Sequence, residues 1–185
     1  KQAALNWLSR RDYSEAELSQ RLTRHGGAEA DIARVMAWCK AENYLNEQRY
    51  LQMLLRSRVN KGYGLSYIMQ QCRQQNISQQ QVLNCAAELE IDWFALALQQ
   101  YQKKYGDSTA TEYKEKLKRM AYLQRRGFNN EQIQKIAHLY KPEKMTSTYS
   151  EKSNFEIDLY NSDTLKKDKE NLNIKIVYIQ RVNYN

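Results

Sequence analysis

Lys114, Lys118 and Arg125 recur at intervals of four and seven residues, so on a helix turning about 100° per residue their charges share one face. Cations gathered in this way, with Lys116, Arg119 and Arg126 beside them, can hold phosphate or carboxylate oxygens by charge-assisted hydrogen bonds. Tyr113, Leu117, Met120 and Ala121 are then expected to form the buried side of the same segment. Lys103 and Lys104 end the preceding segment and would enlarge the cationic surface. Arg56, Arg58 and Arg73, with Arg10, Arg11, Arg21 and Arg24, are candidates for continuing it as a basic band. A merely solvated helix face is the plainer alternative.

Lys61-Gly62-Tyr63-Gly64 is the second pattern of interest. Its glycines permit a sharp turn from which Lys61 and Tyr63 project toward phosphate or an acidic protein. It is not a nucleotide loop, because no strand precedes it and no Gly-Lys-Ser follows. Catalysis is not expected. The paired acids Glu15/Glu17 and Glu88/Glu90 are two apart on helices and point in different directions, with no His or Cys poised beside them. No metal or other cofactor is expected, since His25 and His138 lie far apart and far from any ligand pair. Cys39, Cys72 and Cys85 fall on apolar stripes, which suits reduced core thiols and a cytoplasmic location. No stretch is long and apolar enough to span a bilayer.

These residues are positioned by nine helix-sized segments, and the expected fold is all-α. Five segments carry apolar residues at a position and then three, four and seven places on: Ile32/Val35/Met36/Cys39, Leu65/Ile68/Met69/Cys72, Val82/Cys85/Ala86/Leu89, Phe94/Ala97/Leu98/Tyr101 and Ile133/Ile136/Ala137/Tyr140. Ser14–Glu17 and Ser78–Gln81 read as capping boxes, Asn129–Gln132 opens the last helix, and Asn46 and Asp92 are single caps. Gly26-Gly27 and Gly106 read as helix stops. The segments group as three-helix repeats over 1–45, 46–91 and 92–141, in which Leu18, Ile68 and Leu117 are expected to correspond. So small a unit buries little surface alone, so neighbours should share cores. Trp7, Trp38 and Trp93 are expected in that packing, as are Tyr44 and Tyr50, with Arg49 paired to a carboxylate of the first repeat.

All of the net charge of +8 belongs to this helical part: 22 Lys+Arg face 14 Asp+Glu up to Lys141, and the remaining 7 and 7 cancel. Such a surface favours nucleic acid or an acidic protein. After Pro142 the composition changes, and 142–185 is expected to be an irregular tail, poorly ordered or foreign to the domain, with one β-prone window at Asn173–Val182. The chain begins at Lys1 without a methionine, so residues upstream are expected.

Several segments together resemble the RecX family of recombinase regulators: Asp12-Tyr13-Ser14 with Glu17-Leu18 and Arg21-Leu22; Tyr44-Leu45-Asn46-Glu47-Gln48-Arg49-Tyr50; Lys61-Gly62-Tyr63-Gly64 with Ile68 and Ile77-Ser78; and Arg126-Gly127-Phe128 with Ile133. Their order and spacing over residues 1 to about 141 carry the likeness. The resemblance implies three tandem three-helix repeats in an elongated, curved bundle. It also implies a monomeric protein that binds the RecA filament along its groove and restrains strand exchange, ATP hydrolysis and co-protease activity, with single- and double-stranded DNA as secondary partners. Leu65 stands where several members have Pro, the family's N-terminal extension is absent, and the tail has no counterpart. The alternative from the residues alone is a DNA-binding protein of helix-turn-helix outline, acting without recombinase.

Overall fold

The computed structural model describes residues 1–140; the expectations for the tail, Asn173–Val182 included, lie outside them. Nine α-helices and no strand occur among the described residues: α1 Gln2–Leu8, α2 Glu15–Arg24, α3 Glu29–Ala41, α4 Glu47–Asn60, α5 Leu65–Gln74, α6 Gln79–Glu88, α7 Trp93–Tyr105, α8 Tyr113–Arg125 and α9 Asn130–Leu139. They fall into successive triplets. The chain divides into two compact units, Lys1–Ile91 and the residues from Asp92 onward. No helix of the described residues is long and apolar enough to cross a membrane.

Local chemistry explains where the helices begin. Asn46, Ser78, Asp92 and Asn129 each accept the backbone N–H three residues on, at 2.9–3.3 Å. Gln81 and Gln132 return the bond to the cap amide, completing two capping boxes. At Ser14 only half of the expected box forms. Its Oγ accepts from Glu17 N–H at 3.0 Å, but the Glu17 carboxylate turns away to accept from Arg11 (2.9 Å) and from the Tyr50 hydroxyl (3.4 Å). An ion pair and a phenol offer this carboxylate more than a cap amide does.

The middle helices of the three triplets end alike. Gly26, Asn76 and Gly127 take positive φ (84°, 60° and 88°). Each following residue donates to the carbonyl five back, from Gly27 to Leu22, Ile77 to Cys72 and Phe128 to Leu123. Superposing these three ends corrects the repeat alignment: Leu22, Cys72 and Leu123 correspond, and four residues earlier so do Leu18, Ile68 and Arg119. Leu117 is not in that series. It is 46% exposed, whereas Leu18 and Ile68 are fully buried. Ile77 and Phe128, both buried, close one helix and precede the cap of the next.

In the first unit the core of α1–α3 gathers Ala4, Tyr13, Leu18, Leu22, Cys39 and Leu45, with Trp7, Trp38, Ile32, Val35 and Met36 half-buried against it. The second triplet is joined to it by polar contacts. Arg49 Nε donates to Asp12 at 2.6 Å and its other nitrogens to the carbonyls of Asn43 and Tyr44, so the expected ion pair forms. Ser14 Oγ also donates to Gln75 Oε1 at 2.8 Å, tying the start of α2 to the end of α5. Tyr44 remains 44% exposed although its ring lies 5.5 Å from Trp38. In the second unit α7, α8 and α9 pack pairwise around Leu98, Tyr101, Leu123, Ile133 and Ile136.

The three cysteines are buried and unpaired by disulfides. Burial pushes the Cys72 thiol up to about 11, with nearby Cys85 adding to the effect, and raises Cys39 and Cys85 in the same direction. Burial also moves Tyr50 and Tyr140 up to about 12. Raised values mean that stability is intact below the unfolded values, 9.0 for the thiols and 10.0 for the phenols, and is lost as pH rises through the folded ones. The urea midpoint should therefore be flat to pH 9 and fall steadily between pH 9 and 12. Native protein at pH 8 should resist thiol alkylation until urea opens it. Rapid labelling of all three thiols before unfolding would contradict the burial.

Candidate partner-binding surface on α7 and α8

The α8 face is set by what the helix buries. Arg119 occupies the core position held by Leu18 and Ile68 in the other triplets, and is 8% exposed. Its guanidinium is fully engaged: Nε donates to Glu115 at 3.0 Å, one terminal nitrogen donates to Tyr101 Oη (2.8 Å) and to the Ser108 carbonyl (2.6 Å), and the other reaches Ser108 Oγ (3.3 Å). It also lies 4.8 Å from the centre of the Tyr105 ring. Burial opposes its charge most strongly, yet the hydrogen bonds to Tyr101 and Glu115 outweigh it and leave the group more basic than usual. Arg119 is thus a structural cation and not part of the solvent-facing patch.

With Arg119 and Leu123 inward, the expected buried side of α8 is rotated. Tyr113 is 74% exposed, Leu117 is exposed, and Met120 and Ala121 are half-buried. A polar residue at the core position disguised the true stripe, and four apolar residues at 113, 117, 120 and 121 imitated another. The grouping of Lys114, Lys118 and Arg125 on one exposed face holds, since all three are open to solvent.

Residues of α7 join them. Lys104 Nζ sits 3.9 Å over the Tyr122 ring, and the Arg126 guanidinium lies 5.5 Å from the centre of the same ring. The phenol of Tyr105 is raised by burial first and by Glu115, while Arg119, Arg125 and Lys118 pull it the other way. Lys103 is exposed on α7. Tyr122 is the residue that the motif reading missed; its only signal was its position four residues before Arg126 on a helix.

The candidates of the second triplet have different surroundings. Arg58 turns to α5, where its Nε donates to Gln71 at 2.6 Å. Arg56 is two residues away and therefore about 200° round the helix. It is exposed, and its charge partly offsets the burial and the Glu88 carboxylate that raise Cys85 of α6. Arg73 is likewise two residues from Gln71 and exposed on another side of α5. Spacing by two keeps Arg56 and Arg58 off one face of α4. Lys61 is exposed at the end of α4, and Gly62 takes φ 76° to make the turn. Tyr63 does not project: it is half-buried, with its ring stacked on Tyr67 at 4.0 Å and 11°.

In the first triplet Arg11 lies 3.8 Å over the Tyr13 ring, and Arg21 bonds the Tyr13 hydroxyl at 2.8 Å and covers Trp7 at 4.5 Å. Both arginines consolidate the surface of the core. Glu15 pairs with Lys40, and Glu17 with Arg11. Among the described residues no cluster of His, Cys, Asp and Glu could hold a metal ion.

Residues 1–39 match the family model described as the first three-helix domain of RecX, and residues 90–136 match that of its third three-helix domain. The chain is 41% identical over 133 residues to the regulatory protein RecX of Vibrio vulnificus (strain CMCP6), covering 72% of this chain and 87% of that protein. It is 37% identical over 143 residues to that of Escherichia coli O9:H4 (strain HS), covering 72% and 86%. In fold it is similar to a crystal structure of regulatory protein RecX, with a TM-score of 0.64, 18% identity and coverage of 74% of this chain and 69% of the other. It is also similar to RecX from Lactobacillus salivarius, with a TM-score of 0.59, 18% identity and coverage of 74% and 91%. The triplet architecture, its repeated helix ends and this identity over most of the relatives' length agree, and the chain belongs to the RecX family of regulatory proteins.

Proposed function

We propose that this protein regulates the RecA recombinase by docking, as a monomer, on its nucleoprotein filament in the cytoplasm. Docking restrains recombination, ATP hydrolysis and co-protease activity, and contact with single- or double-stranded DNA is accessory. Membership of the RecX family supports the partner. The observation that carries the mode of action is the cationic face of α8. Lys114, Lys118 and Arg125 are exposed together there, and the one acid of the helix, Glu115, is turned to Arg119. A filament is polyanionic along its nucleic acid and presents the same protein surface at every subunit, so modest contacts made by the repeats at 1–45, 46–91 and 92–141 add through effective concentration. The protein acts by occupying its binding surface and hindering subunit motion, not by chemistry of its own. Arg56, Arg73, Lys61 and Lys103, all exposed, are the candidates for accessory contact with DNA.

The test is to add sub-stoichiometric protein to RecA on single-stranded DNA and follow ATP hydrolysis. Turnover should fall at ratios well below one regulator per recombinase. Unchanged turnover with a protein shown to be folded would refute the reading. Sequence-selective binding to duplex DNA without recombinase would move the chain to the helix-turn-helix alternative. Binding to bare DNA should weaken with salt at a slope of about −0.9 per neutralised phosphate in double-logarithmic form.

A further inference from the structure

Beside the cations of α8 runs a feature that phosphate binding does not need. Tyr113 is 74% exposed and Leu117 46% exposed, four residues apart on one helix. At about 100° per residue, Tyr113, Leu117 and Gln124 fall within a sector of about 40°, and Ala121 adjoins it. Lys114, Arg125 and Lys118 occupy the next sector, while Arg119 and Leu123 lie on the opposite, buried side. The exposed half of α8 therefore carries two parallel stripes, one with Tyr113 and Leu117 as its apolar groups and one cationic. Glu115 bonds to Arg119 and leaves the cationic stripe unopposed within the helix.

The geometry points to this double stripe as a protein-docking surface: α8 seats Tyr113 and Leu117 in an apolar groove whose rim is acidic, on the protein component of the filament. Here the inference rests on the reading above and names the partner chemistry at this face. Two arguments favour protein over nucleic acid. A leucine has no π face on which a base can stack, and stacking platforms for single strands are aromatic. An exposed leucine gains only when apolar atoms cover it, and a tyrosine–leucine pair four apart is the spacing by which a helix anchors in a groove. The neighbouring cations then select an acidic rim and steer the encounter, while the apolar anchors slow release.

The experiment uses the full chain. Affinity is measured by co-sedimentation with filaments assembled on single-stranded DNA, and separately by fluorescence anisotropy on the same DNA without recombinase. Leu117→Ser should weaken filament binding about tenfold or more while leaving binding to bare DNA within about twofold. Leu117→Met should restore most of the loss, because an apolar side chain of similar volume returns. The pair Lys114→Glu and Lys118→Glu should lower the association rate and its salt dependence on filaments. Circular dichroism melting checks that each variant is folded, as an exposed position allows.

Three results would overturn the assignment. Unchanged or tighter filament binding by Leu117→Ser would mean that the face is idle or covered by the chain's own residues 142–185. An equal loss on bare DNA would make the surface a nucleic-acid site. Self-association of the wild-type chain that Leu117→Ser abolishes would make the occupant a second copy. A wild-type chain that never binds filaments overturns both this inference and the function it rests on; a wild type that binds alongside an unaffected Leu117→Ser overturns the inference alone.

Discussion

Arg119→Ala should destabilise the unit from Asp92 onward by about 2–4 kcal/mol, a loss large against the stability of a small helical unit. The truncation removes donors to Glu115, the Tyr101 hydroxyl and the Ser108 carbonyl and hydroxyl at once. It also uncovers the Tyr105 ring and opens a void between α7 and α8. The Arg119 side chain is only 10% exposed, so water does not readily replace what is lost. Arg119→Leu separates the two causes. It supplies the apolar group that the equivalent position carries in Leu18 and Ile68, and should recover about half of the loss, the remainder being the unanswered Tyr101 and Ser108 oxygens. Urea unfolding gives the magnitude. Hydrogen exchange gives the place: protection should fall across α7–α9 and stay in α1–α6. An Arg119→Ala protein within about 0.5 kcal/mol of wild type would show that the cluster contributes little.

That arginine also explains which parts of the molecule the sequence makes legible. Caps are decided within four residues, so Asn46, Ser78, Asp92 and Asn129 could be read directly. Stripes are decided within two turns, and Val82/Cys85/Ala86 and Ile133/Ile136 are buried as their spacing requires. What failed depended on partners distant in the chain. Glu17 left its capping box for Arg11, six residues before it, and for Tyr50, 33 residues away. The buried direction of α8 was set by Tyr101 and Ser108, 18 and 11 residues from Arg119, so an inward cation passed for a surface one. The same limit governed the candidate site. Helical periodicity grouped Lys114, Lys118 and Arg125 correctly, because they share one helix. It could not show that Lys104 meets Tyr122, that Tyr63 stacks on Tyr67, or that Arg58 is drawn off to Gln71. The family was legible because its motifs are short, ordered and turn-forming, and tertiary context does not alter their spelling.

Leu18→Ala should cost about 3–4 kcal/mol, and Leu117→Ala less than about 0.5 kcal/mol, although both leucines lie on the middle helix of a triplet. Leu18 is fully buried in the core of α1–α3, where truncation leaves a cavity that Tyr13, Leu22 and Cys39 can only partly close. Leu117 is almost half exposed, and its replacement by the best helix former offsets the little packing it loses. Were α8 oriented as its apolar residues suggest, with Leu117 the counterpart of Leu18, the two substitutions would cost nearly the same. Equal losses in urea unfolding would therefore reject the register that puts Arg119 inward, and with it the exposed apolar stripe. Unequal losses would make Leu117 a position where affinity can be varied without touching the fold. A leucine retained in the open beside three cations, on a helix that already has its core, contributes its free energy only when something else covers it.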